Sequence, residues 1–172
     1  MPNNPKIREE VLRKLAYIRM ELIETVLGAA VDREADVDLY LKWNEDKKRR
    51  LKNFISGLSV IYLFSFMQSH VEENQWEDIK SPSGKQRALF KNVDFDCFDV
   101  FKYVRDCFAH DWEGSMFPKT QSNTIYFLQI INSGKNPTSV KIECDNIILD
   151  ESATFDCLQV IISVLEEANI TL

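Results

Sequence analysis

Apolar residues recur every three or four positions at Ile7, Val11, Leu15, Ile18, Leu22 and Val26. Arg8, Arg13, Lys14 and Arg19 fall mostly off that stripe, so the spacing predicts a long amphipathic helix. Asn4 and Pro5 supply its cap and first turn, and it ends near residues 28–31. Over residues 32–46 the pattern changes. Val37, Leu39, Leu41 and Trp43 alternate, but the acidic residues between them are poor strand formers, which leaves a helical or irregular connector. A second helix opens at Lys47-Lys48-Arg49-Arg50 and continues through Leu51, Phe54, Ile55, Leu58, Ile61 and Tyr62. From 54 to 67 it is apolar nearly all round, the pattern of a helix contacted on several sides at the centre of a domain. Ser81-Pro82-Ser83-Gly84 is a loop.

A third helix is expected over residues 94–112, with Phe95, Phe98, Phe101, Val104 and Phe108 as its core stripe. Gly114 and Pro118 stop it. Residues 124–131 and 140–144 are β-branched and aromatic runs, separated by the turn-rich residues 132–137. They predict a β-hairpin, with 147–149 continuing it. Asp150 or Ser152 caps a last helix whose apolar face is Phe155, Leu158, Val160, Ile161, Val164 and Leu165. There is no internal repeat and no separating linker, so residues 1–172 form one domain. It is mainly α, a bundle of four to five helices with a small β-hairpin before the last helix.

Composition narrows the classes of function. The 172 residues are 45% hydrophobic and 28% charged, with 10 Gly and Pro together, which excludes a disordered or low-complexity chain. A net charge of −6 excludes a globally basic nucleic-acid binder but leaves room for a local basic patch. Lys47, Lys48, Arg49, Arg50 and Lys52 are the one strong cluster, and Arg87 and Lys91 add charge further along. Two readings stand for the cluster. It is a solvated helix start, as charge runs usually are, or it is a phosphate-binding patch, with which the opposition of these cations to the helix dipole is consistent. Cys97, Cys107, Cys144 and Cys157 show no C-x-x-C or zinc-ribbon spacing, so they read as reduced core residues of a cytosolic protein. No secretory signal opens the chain, and the apolar run 54–67 is shorter than the roughly 20 residues of a membrane span.

The chemistry centres on two histidines. His70 has no cysteine or second histidine nearby and reads as structural or surface. His110 ends Arg105-Asp106-Cys107-Phe108-Ala109-His110 at the close of the third helix. Asp106 and His110 are i and i+4 and share a helix face, so the carboxylate can orient the ring. Arg105 lies about 140° round the helix from His110. One helix does not easily join them, whereas two copies facing across a symmetric contact do. An arginine that stabilises phosphate charge and a histidine that exchanges protons suffice for phosphoryl chemistry on RNA. No metal or other cofactor is called for. The plainer alternative is a surface Arg105–Asp106 pair, with His110 as a helix-end cation.

The six residues Arg105 to His110 resemble the signature of the HEPN domains (higher eukaryotes and prokaryotes nucleotide-binding). That signature is Arg, a polar residue, a few more residues and His. Two long helices before the motif, and an extended segment plus last helix after it, are similar to the family's architecture. The resemblance implies a HEPN-like helical bundle working as a homodimer. Many members are metal-independent endoribonucleases of toxin–antitoxin or phage-defence systems; others are inactive and bind RNA or partner proteins. By resemblance, His110 is the acid/base, Arg105 the phosphate stabiliser and Asp106 the orienter of the histidine. Lys47, Lys48, Arg49, Arg50, Arg87 and Lys91 would contact RNA, and Trp112 and Phe117 could stack a base or simply pack. An antitoxin or defence-system protein is the implied partner. Asp106 departs from the commoner Asn. Trp112 stands where one branch of the family has a tyrosine, so modification of that hydroxyl does not carry over.

Overall fold

The computed structural model describes residues 9, 12–13, 45–72, 79 and 90–168. The first predicted helix and the 81–84 loop lie outside them, apart from isolated positions of the former, as does all of the 32–46 connector except its last two residues. Four helices and one hairpin make up the described architecture. Helix α1 is Glu45–His70, α2 is Phe95–His110 and α3 is Ser122–Asn132; strands β1, Val140–Glu143, and β2, Asn146–Leu149, precede α4, Ala153–Glu167. Among the described residues no helix is long and apolar enough to cross a membrane.

Helix α1 is central, as its all-round apolar run requires, and packs against both α2 and α4. Val60, Leu63, Phe64 and Met67 are fully buried. The serines within the run cost little, because Ser59 and Ser65 donate to the carbonyls of Ile55 and Ile61 at 2.9 and 3.0 Å. His70 closes the helix in a structural role. Its Nδ1 lies 2.8 Å from the Phe66 carbonyl oxygen, and its ring is tilted over Phe66 with centroids 4.3 Å apart. Helix α2 starts where Asp94 caps it, accepting from the Cys97 amide at 3.1 Å. Its predicted stripe is buried throughout. Extended backbone at Asp111 ends it, three residues before Gly114, which takes φ +75° in the following turn.

The strand expected over 124–131 is a helix instead. Thr124, Phe127 and Ile130 are buried, a period of three that fits one face of α3. Ile125 and Tyr126 are exposed, so the β-branched and aromatic content reflects partial burial rather than pleating. The hairpin lies one segment later. Strand β1 pairs antiparallel with β2, Val140 opposite Leu149 and Glu143 opposite Asn146. Cys144 and Asp145 form the two-residue turn, both at positive φ (49° and 62°), as the right-handed strand twist demands. Asn53 of α1 clamps the outer edge of β2: its Nδ2 donates to the Ile147 carbonyl at 2.9 Å and its Oδ1 accepts from the Leu149 amide at 2.8 Å.

Two further expectations need correction. Phe155 is half exposed and off the buried face of α4, which Leu158, Ile161, Val164 and Leu165 fill. All four cysteines are free, but only Cys107 and Cys157 are core residues; Cys97 is half-buried and Cys144 is exposed in the hairpin turn. At the start of α4, Asp150 rather than Ser152 organises the turn, accepting from the Ser152 amide and hydroxyl at 2.8 and 2.7 Å.

Candidate functional site

The last two turns of α2 carry the motif, and Phe108 anchors them. Its ring fits between Gly57 of α1 and Gly114 of the following turn, where added Cβ atoms would lie 2.3 and 2.5 Å from ring carbons. Only glycines allow helix, ring and turn to approach this closely.

Arg105 leans on α1. Its Nη2 lies 2.6 Å from Asp106 Oδ1, its guanidinium carbon sits 5.4 Å from the Phe64 ring centroid, and its side chain is only 20% exposed. The Arg105 Nε is buried without a hydrogen-bond partner. Asp106 therefore orients Arg105, not His110 as the i, i+4 spacing suggested. A short charge-assisted contact to a guanidinium one residue away prevails over a bond to an imidazole at the helix end. His110 is exposed and leans the other way, edge-on to Phe117 at 5.3 Å. Phe117 is packed in turn against Tyr103, which stacks on Phe127 at 4.3 Å. Arg105 and His110 thus rest on different neighbours, as their five-residue offset implies. Burial pushes the Tyr103 hydroxyl up to about 12 and the Cys107 thiol to about 11, so both stay protonated at neutral pH.

The basic run behaves differently from the sequence picture. Arg49 binds Glu143 at 2.7 Å and Asp46 at 3.3 Å. Arg50 binds Asp46 at 3.1 Å and Glu113 at 3.3 Å, and Lys52 binds Glu151 at 3.1 Å. Hydrogen bonding to Glu143 holds the Arg49 guanidinium above its ordinary pKa. Lys91 is exposed ahead of α2. Arg87 and the side chains of Lys47 and Lys48 lie outside the described residues.

A cleft of about 230 Å³ opens between the start of α1, the turn after α2 and the hairpin. Arg49, Arg50 and Trp112, three of the residues expected to meet RNA, line it together with Glu113, Glu143 and Asn146. Trp112 is 55% exposed and set edge-on to Phe54 at 6.2 Å. The two glutamates escaped sequence reasoning because they lie 63 and 94 positions from their arginines. No local pattern signals such pairs. Among the described residues, no group of three or more His, Cys, Asp or Glu side chains could hold a metal ion. No family model, curated protein or solved structure matches the chain.

Proposed function

We propose that the chain is a HEPN-type endoribonuclease that acts on cytoplasmic RNA as a homodimer. The observation that carries this reading is the exposed His110 on the last residue of α2, one turn beyond an arginine whose orientation Asp106 and Phe64 fix. In the reaction, the ribose 2′-oxygen bonds to the adjacent phosphorus and the bond to the 5′-oxygen breaks. His110 takes the 2′-hydroxyl proton or protonates the leaving 5′-oxygen. Arg105 stabilises the charge that builds on the phosphate oxygens. The products are a 2′,3′-cyclic phosphate and a 5′-hydroxyl. Because Arg105 and His110 lean on different neighbours within one chain, a second copy completes the site.

The neutralised basic run favours a second reading, in which the same fold is a non-catalytic interaction module. Arg49, Arg50 and Lys52 already hold carboxylates, which weakens their pull on phosphate. Incubating purified protein with a short RNA in excess EDTA separates the two. Cleavage to cyclic-phosphate ends is expected, with losses of about 100-fold or more in Arg105→Ala and His110→Ala at unchanged circular dichroism. Intact RNA with the wild-type protein would overturn the nuclease reading in favour of the module.

A further inference from the structure

The cleft beside the motif has the makings of a base-reading pocket. Its volume, about 230 Å³, is below the roughly 300–1,000 Å³ of a site for a drug-sized molecule and suits one planar ring system. Trp112 offers an indole more than half exposed, braced from the side by Phe54. A large aromatic left open beside a cavity is a stacking surface for a nucleobase. Among the polar groups that line it, one guanidinium and one carboxylate stand side by side next to the indole. Arg50 and Glu113 meet at 3.3 Å, and their side chains are 58% and 38% exposed; Asp46 holds the Arg50 Nε at 3.1 Å and leaves its other nitrogens to the cleft. An ion pair that open and that long is weak and readily exchanged for a ligand.

We infer that this cleft binds an unpaired guanine base. Guanine presents adjacent N1–H and N2–H donors that a carboxylate accepts, beside O6 and N7 acceptors that an arginine donates to. Glu113 takes the donor edge, Arg50 the acceptors, and the base stacks on Trp112. Adenine has one exocyclic amino group and no second donor on that edge, so it satisfies only part of the pair. Cytosine matches both charges but offers the indole a smaller ring. The shorter Arg49–Glu143 contact, 2.7 Å, stays intact and forms the wall towards the hairpin.

Trp112 is two residues beyond His110, at most about 7 Å of chain. If the chain is the proposed nuclease, the pocket fixes a guanine close to the cleaved bond and makes cleavage base-selective.

The test is titration of the protein with GMP, AMP, CMP and UMP, followed by nuclear magnetic resonance at the Trp112 indole N–H, assigned with Trp112→Phe. GMP is expected to move this signal with an affinity about tenfold tighter than the other three. Trp112→Ala should weaken GMP binding about tenfold. Glu113→Gln should bring the GMP to AMP ratio close to one while Trp112 still responds. A silent Trp112 signal, equal affinity for GMP and AMP, or an unchanged ratio in Glu113→Gln would each overturn the pocket. If RNA is cleaved but Trp112 is silent, the pocket falls and the nuclease stands. If GMP binds selectively and RNA stays intact, the pocket stands and the nuclease falls.

Discussion

Replacing Gly57 with alanine tests whether the glycine-lined seat of Phe108 fixes the end of α2. At an ordinary interior helix position this substitution stabilises by about 1 kcal/mol, because glycine loses more backbone freedom on folding. Here the new methyl would lie 2.3 Å from Phe108 Cδ1, 2.5 Å from Cγ and 2.7 Å from Cε1. Ordinary contact starts near 3.4 Å, so ring or helix must yield by about an ångström. The ring has little room to retreat, since Gly114 closes on its far side and Phe108 is 5% exposed. Overpacking of this kind costs about 1–3 kcal/mol, and the upper part of that range is the fitting one. After the propensity gain, the net loss is about 1–2 kcal/mol. For a domain of this size that lowers Tm by roughly 3–6 °C. Thermal and urea unfolding of Gly57→Ala, alone and with Phe108→Ala, measure it. Alanine at 108 removes every ring atom that meets the new methyl, so in that background Gly57→Ala should be neutral or stabilising, a coupling of at least about 1 kcal/mol. A single mutant more stable than wild type would refute the reasoning and show that the contact between α1 and α2 is loose.

Removing either partner of the Arg105–Asp106 pair should destabilise by about 1–2 kcal/mol, and a double-mutant cycle in urea should show coupling of about 1 kcal/mol; additive effects would show that the 2.6 Å contact contributes nothing. Disulfide exchange with a chromogenic reagent at pH 7.5 should label Cys144 first, with Cys144→Ser abolishing the fast phase. Burial, reinforced by Asp94, pushes Cys97 to about 12, and burial holds Cys157 well above the usual thiol range, so their labelling should be slow and rise with pH as thiolate forms. The Ser152 hydroxyl holds the Asp150 carboxyl below its ordinary value. A folded pKa below the unfolded one adds stability above about pH 4 that is lost as pH falls through the folded value. Ser152→Ala should therefore lower stability at pH 7 and converge with wild type towards pH 2; a pH-independent difference would mean that the hydroxyl acts through packing alone.

The bundle was legible where one period dominated. The stripe from Phe95 to Phe108, the all-round apolar run of α1 and the periodic core of α4 each return the helix that their spacing demands. Residues 124–131 were not legible, because Thr124, Ile125, Tyr126, Ile130 and Ile131 carry strand propensity while their burial follows a helix. What decides the matter is tertiary: Thr124 Oγ1 lies 2.9 Å from the Tyr103 hydroxyl, and Phe127 stacks on the same ring, both on one face only if the segment is helical. At the candidate site, spacing correctly placed Arg105 and His110 apart on α2. It did not identify the partner of Asp106, since i, i+4 geometry permits a contact with His110 without ranking it against the adjacent guanidinium.

The basic run opening α1 shows why charge patterning alone decides so little. As a linear string, Lys47 to Lys52 reads as either a solvated face or a phosphate patch. In the fold, three of its cations reach carboxylates on three different segments: Glu113 after α2, Glu143 at the end of β1 and Glu151 before α4. Each pair is exposed, screened by solvent and individually weak. Together they join the start of α1 to the segments that frame the cleft and follow His110. A phosphate that takes one of these arginines leaves a like-charged glutamate beside it, whereas a neutral base that parts Arg50 from Glu113 can bond to both. The clasp therefore weakens the case for a phosphate track along α1 and accords with the base pocket proposed beside Trp112. This distinction lies in the pairing partners, 63 to 99 positions away in the chain, and not in the basic residues themselves.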